Sequence, residues 1–460
     1  MSVNEETSHE QPEPEPDGPI NEGASTYSNA QNFLSHLQTG VDVRTGDFTC
    51  AMSLPALEAN RLQGPTVQLG LGFNSHQRDD LGYGIGWALT GITTYQPSTK
   101  MLVLSTGERF VVDQTLGEFT FKDRKLVTFH MGRVEGTNHE YLVTHKNGVI
   151  ERLSTLNGVS RTAVPVEIRS PDGRRVSLTF TLAQAPRLVS VSDENGLLLS
   201  IERSSNFVNV TLHPESDQPL EFSLSQVSKK LSRLRLPPAL GDVGWTFTYK
   251  EIGEFQHVTH ILLPTGGEET VTYTEAGHEC LPGAPTTHVP YVRVHTRTPG
   301  FAQPPIVTTY EYSPRNYLGH RSGLQWQPNE DNLYLMTAAN GKDYRYDCTA
   351  TMRMKVDDVE VERTVKSEFN RLHLLVSEVT TQDKCVLEKV THYHDDPTKS
   401  FKDQVPYFQL PRETITRWYR EVEGSPAASR NRYHGLRRQR QPDQAGRRNR
   451  SDRRPHLLRP

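Results

Sequence analysis

The feature that most constrains this chain is a turn that keeps returning. Short runs of β-type residues meet at a few residues ending in glycine, and the unit recurs roughly every 20 residues. Met101 to Leu104 passes through Ser105-Thr106-Gly107 into Arg109 to Val112, and Tyr141 to Thr144 through Lys146-Asn147-Gly148 into Val149 to Leu153. Ile168 passes through Pro171-Asp172-Gly173 into Val176 to Phe180, Leu188 to Val191 through Asp193-Glu194-Asn195-Gly196 into Leu197 to Ile201, and His257 to Leu263 through Thr265-Gly266-Gly267 into Glu269 to Tyr273. Glycine reaches positive φ at no steric cost, and Asn147-Gly148 is a strong signal for a two-residue hairpin turn. Helical periodicity is scarce, and 33 Gly with 30 Pro suits many strands separated by turns. The pattern predicts an all-β chain of repeated antiparallel hairpins. A solenoid, a propeller and a shell all remain open.

The stretch Asn32 to Thr94 stands apart from the repeat. It carries turn signals at Thr39-Gly40 and Thr45-Gly46, and Val67, Leu69, Leu71 and Phe73 alternate with smaller or polar residues. It closes on Gly82-Tyr83-Gly84-Ile85-Gly86-Trp87. Three glycines at every second position suit one face of a strand better than a nucleotide loop, which needs Gly-x-Gly-x-x-Gly before a helix. Gly40, Gly46, Gly82, Gly84, Gly86 and Trp87 are therefore read as structural. Ala30 to Gln38 reads as a short helix or irregular lead-in. The Pro- and Gly-interrupted stretch His278 to Pro305 reads as a boundary, Asn340-Gly341-Lys342 as a turn, and Thr416 to Tyr419 as the last regular structure.

The two ends differ in charge. Residues 1–27 hold seven acids and no Lys or Arg, and residues 431–460 hold ten Arg, two Asp and no Lys. Neither pattern can bury enough apolar surface to offset the entropy of ordering. The expected organisation is a disordered acidic, Pro-rich tail over 1–28, an opening β region over 29–99, a hairpin-repeat region over 100–433 and a disordered Arg-rich tail over 434–460. No run of 18 apolar residues and no basic-then-apolar leader occurs, so no transmembrane segment is expected. The expected location is cytoplasmic; export by a specialised route that needs no cleaved signal remains open. Cys50, Cys280, Cys348 and Cys385 are far apart and read as reduced structural thiols.

Residues 32–95 resemble the amino-terminal region of bacterial RHS/YD-repeat proteins, which include toxin-complex components and polymorphic toxins. The pieces that carry the resemblance are Gly40-Val41-Asp42-Val43-Arg44-Thr45-Gly46, Leu54-Pro55, Gly64-Pro65, Leu69-Gly70-Leu71-Gly72-Phe73-Asn74 and Gly82 to Trp87. Looser matches extend it over residues 30–433. The resemblance implies a coiled sheet or shell enclosing a carboxy-terminal toxin cargo, with other toxin-complex subunits as partners. The chain departs from the family in lacking a recognisable self-cleaving core motif and in having few Tyr-Asp repeats. Tyr433-His434-Gly435 stands where such a repeat would begin, and the Arg-only run after it is the expected product of a frame change or truncation.

No constellation marks chemistry. There is no Gly-x-Ser-x-Gly elbow and no phosphate-cradling loop, so no catalytic, cofactor-binding or metal residue is assigned. His392, His394, Asp395 and Asp396 carry suitable metal donors without third-ligand spacing, and read as a solvated strand end. Asp357, Asp358, Glu360 and Glu362 read as the polar face and tip of a hairpin, and Asp193-Glu194-Asn195-Gly196 as a turn. The Arg-rich end would bind nucleic acid only non-specifically. The expected function is a non-enzymatic structural shell or interaction fragment. The alternatives are a carbohydrate-binding β module, in which Trp245, Trp326 and Trp418 are the candidate contacts, and a hydrolase with an unidentified site.

Overall fold

The structure, a computed structural model, describes residues 37–115, 118–122, 124–328, 330–336, 343–422, 425–426 and 430–435. The expected acidic tail, the Asn340-Gly341-Lys342 turn and the Arg-rich run from residue 436 lie outside the described residues. Among the described residues the regular structure is nearly all strand, with two short 3-10 turns at Pro238–Leu240 and Asn332–Tyr334. Two small sheets open it. Leu37–Val41, Phe48–Ser53, Gly70–Phe73 and Trp87–Thr90 form one, and Thr94–Gln96, Met101–Val103, Arg109–Thr115 and Glu118–Phe121 form the other. A 22-stranded sheet follows, from Phe129–Arg133 to Arg430–Gly435, in which strands are neighbours in the order of the chain. Its pairings are antiparallel throughout. A propeller would divide into separate blades of about four strands. A single continuous meander removes that alternative.

The recurring glycine turn has one geometry. Leu104 N donates to Glu108 O at 2.9 Å while Gly107 N donates to Leu104 O at 2.8 Å. The same two bonds close His145 to Val149, Ser170 to Arg174 and Leu263 to Gly267, with Gly148, Gly173 and Gly266 as the second donors. Each glycine has φ between +79° and +92°. These are three-residue loops whose last residue is left-handed, so Lys146-Asn147-Gly148 is one residue longer than the two-residue turn expected from Asn-Gly. The expected boundary at His278 to Pro305 is absent: Glu268–Glu279 pairs with His288–Thr298 and both belong to the large sheet. At the ends, Leu37 and Gln38 are strand rather than helix, and the last described strand continues past Tyr433 to Gly435.

The opening segments lie on one face of the large sheet in sequence. Tyr95, Leu102, Val112 and Phe119 of the second small sheet share a buried cluster with Phe129, Met131, Tyr141 and Leu153. Leu37, Cys50, Met52, Leu71 and Trp87 of the first share another with residues from Ile168 to Val292. Val43 reaches a third, built on Met336, Tyr344, Tyr346 and Phe369. This is a two-layer β arrangement in which each strand turns alternate side chains to the interior. Val67, Leu69, Leu71 and Phe73 are all buried, as their alternation predicts. They divide between two sheets, because Thr66–Val67 pairs with Leu57–Glu58 and Gly70–Phe73 with Phe48–Ser53.

Candidate functional site: the joint between the opening segment and the large sheet

Gly82 to Gly86 are loop, with φ of +98°, +100° and +87° at the three glycines, which corrects their reading as one face of a strand. The loop forms because Asp80 Oδ1 accepts from Gly82 N at 2.7 Å and Gly84 N at 3.0 Å. It then clasps the large sheet: Ile85 N donates to Lys229 O at 2.8 Å. A Cβ on Gly84 would stand 2.7 Å from Leu231 N, and one on Gly86 would stand 2.4 Å from the Phe73 ring. Glycine is required there for both its φ and its missing side chain. Trp87 follows, fully buried, with its ring 5.1 Å from Phe247 and 5.6 Å from Phe73. Its Nε1 donates to Tyr249 Oη at 2.9 Å, and that hydroxyl donates to Leu231 O at 2.7 Å. The polar atom of this fully buried ring thus finds a partner.

A second contact is the turn Asp42 to Asp47. Asp42 N donates to Asp47 O at 3.0 Å, Gly46 N to Asp42 O at 2.7 Å, and Arg44 N to Asp42 Oδ1 at 2.8 Å. Gly46 has φ +77°, and a Cβ there would stand 2.4 Å from Tyr291 Cβ. Val292 N donates to Gly46 O at 2.9 Å, which ties the turn to the large sheet through backbone. His278 Nε2 lies 3.1 Å from Thr45 O, and its ring stands against Tyr291, Tyr312 and Tyr317. Gly40, by contrast, has nothing nearer than Thr49 Oγ1 at 3.8 Å and carries no such requirement.

The joint also buries charge. Glu269 and His295 pair at 2.8 Å with side chains only 9% and 4% exposed. Thr39 Oγ1 donates to Glu269 Oε1 at 2.9 Å, and Arg297 Nη2 donates to Thr39 O at 2.8 Å. Burial pushes the Glu269 carboxyl up. The hydrogen bonds from His295 and Thr39 and the positive neighbours His295 and Arg297 outweigh it and hold the group below the usual carboxylate range. Through Thr39 this pair ties the first strand of the opening segment to two strands of the large sheet. Nothing in the sequence pointed to it, since Thr39 and Glu269 lie 230 positions apart.

The remaining sequence candidates fall away from this joint. Trp245 is fully buried and offers no face to a sugar, which corrects its place among the carbohydrate contacts. Trp326 is 37% and Trp418 42% exposed, and they lie far apart in the chain. Asp357 and Asp358 form the tip between the strands Arg345–Val356 and Val359–Asn370, with φ of +50° and +61°, and Arg353 pairs with Glu362 at 2.9 Å. Asp193 Oδ1 accepts from Asn195 N at 2.7 Å, and its other oxygen accepts from Asn60 N, so it serves a turn and a tertiary contact. Among the described residues no three His, Cys, Asp or Glu side chains are grouped to hold a metal. The four cysteines are free, and Cys50 and Cys348 are buried. No helix among the described residues is long and apolar enough to cross a membrane.

No family model matches the chain, and no curated protein matches it. A crystal structure described as that of TcdB2-TccC3 is similar over 87% of this chain and 22% of that one, at 12% identity and a TM-score of 0.27. The chain therefore spans about a fifth of the length of that structure's chain.

Proposed function

We propose that the protein is a non-enzymatic structural component, a β wall of an RHS-type container whose work is to hold or enclose a polypeptide. The observation that supports this best is the course of one face of the large sheet. Tyr310 packs on the core shared with the opening segment. Directly across the strands from it stand Ala350, Val365, Thr380, Leu387 and Trp418 in successive register. Residues paired this way share a face. The face that the chain covers with its own opening segment thus continues to Leu387 and Trp418, which are 37% and 42% exposed. A row that is apolar but for Thr380, starts under cover and ends open suits an extended polypeptide lying along it. The Gly82 to Trp87 element and the repeated hairpins supply the resemblance that names the container. On this reading the partners are a toxin cargo or other toxin-complex subunits, held in the cytoplasm before export.

The test places a photo-crosslinking residue at Leu387 and, separately, at Glu388 on the opposite face, in the full chain. A permanently unfolded reduced polypeptide is the probe. Crosslinking from position 387 well above that from 388 is expected. Equal yields, or none, would overturn the reading. A second reading, carbohydrate binding, draws on the exposure of Trp326 and Trp418. It requires that Trp326→Ala or Trp418→Ala weaken binding to an oligosaccharide panel that the parent chain binds.

A further inference from the structure

The joint gathers histidines from both of its sides. His257, on the strand Phe255–Leu262, is 5% exposed, and its Nε2 is buried with no hydrogen-bond partner. Across from it the opening segment supplies His76, whose ring stands 5.0 Å from Phe255 and whose Nε2 lies 3.9 Å from Asp47 Oδ1. His278 is 3% exposed and donates from Nε2 to Thr45 O, since a carbonyl can only accept. His295 is pinned between Glu269 and the edge of Phe48. We propose that this joint is an acid-operated latch, in which protonation of His257 and His278 loosens the opening segment while the large sheet stays paired.

The charges around each group set the direction. His257 faces His76 and Asp47, with Tyr273 against its ring and the Arg78–Glu254 pair beside Phe255. Arg78 pairs with Glu254 there, and Asp47 stands beside His76. Protonation of His257 and His278 adds two cations inside the joint. Burial holds His257 down to about 4, with His76 pushing the same way and Asp47 opposing. His278 faces Asp47 and the rings of Tyr291, Tyr312 and Tyr317. Burial holds it too at about 4 against the Thr45 carbonyl bond and Asp47. A charged His278 keeps its bond to Thr45 only by leaving a desolvated cation inside the joint, and moving the turn away relieves that. The strands of the large sheet from Leu197 to Arg235 use apolar cross-strand contacts such as Leu199 with Leu212 and Leu224 with Leu234, which acid does not change.

Cys50 reports the event, because it lies on the opening segment's strand and is 1% exposed. In full-length protein carrying C280S, C348S and C385S, its reaction with a dipyridyl disulfide is followed against pH and normalised to a free thiol, with far-UV circular dichroism alongside. The rate should rise about tenfold or more between pH about 6 and about 4.5 with the sheet signal intact. H257Q with H278Q should move that rise to lower pH by about one unit or abolish it. If the double variant does not fold, H76N, which alters an exposed partner, should give a smaller shift in the same direction. A rate that stays flat, that rises only as the sheet signal is lost, or that ignores these substitutions would overturn the latch.

Discussion

At the scale of single residues, the joint separates side chains that must be what they are from those that need not. Trp87 fills the interface and satisfies its own Nε1, so Trp87→Ala should cost about 3–5 kcal/mol in urea unfolding. Gly84→Ala places a Cβ against Leu231 N at positive φ and should cost about 1–3 kcal/mol, while Gly40→Ala should change stability by less than about 1 kcal/mol. The two glycines look alike in the sequence, and only their neighbours distinguish them. The buried histidines give a pH dependence. His257, His278 and His373 fall from 6.5 unfolded to about 4 folded, so the unfolded chain binds more protons between those values. Stability is fully present above pH about 6.5 and falls as pH drops toward about 4, by up to about 1.4 kcal/mol per pH unit for each group. Glu269, whose folded pKa is depressed, adds a loss as pH falls through its own lower range. Urea midpoints measured from pH 7.5 to pH 4.5 check the slope, and His373→Gln should flatten it.

At the scale of elements, hairpins were largely legible and what they pack against was not. Thr106-Gly107, Asn147-Gly148, Asp172-Gly173 and Thr265-Gly266 announce their turns because glycine is the residue that takes positive φ freely. Ser228-Lys229 and Asp383-Lys384 make turns with positive φ at both residues and no glycine, so propensity alone passes over them. Gly82 to Gly86 misled for the opposite reason: spacing of two is strand-like, yet Asp80 gathers the amides into a loop that is fixed by the distant turn at Lys229. The partners of Trp87, Gly46 and Thr39 lie about 160 to 250 positions away, and a single sequence carries no sign of such pairings. Two substitutions test the turn reading. Gly148→Val should cost about 1–2 kcal/mol, because a β-branched residue resists left-handed φ. Asp357-Asp358 to Asn-Gly should be neutral or stabilising by about 0.5 kcal/mol, since the tip already has both φ values positive.

At the scale of the molecule, the 22-stranded meander grows by adding neighbours in sequence, and among the described residues no later strand pairs back to its first strand. What gives it an inside is the opening segment, which reaches strands from Ile168 to Phe369 through two of the core clusters and carries the second small sheet behind it. The chain's first described residues are therefore among the last to be satisfied, since their partners follow by up to about 300 positions and loop closure must precede contact. The two-layer arrangement depends on that joint. Native-state hydrogen exchange of the full chain at pH 7.5 reads it through two amides, Ile85 bonded to Lys229 O and Val292 bonded to Gly46 O. Protection of both that matches the amides of the strand Phe207–Leu212, and that Trp87→Ala lowers together, is the predicted result. Exchange at Ile85 and Val292 as fast as at open turns, with that strand still protected, would contradict it.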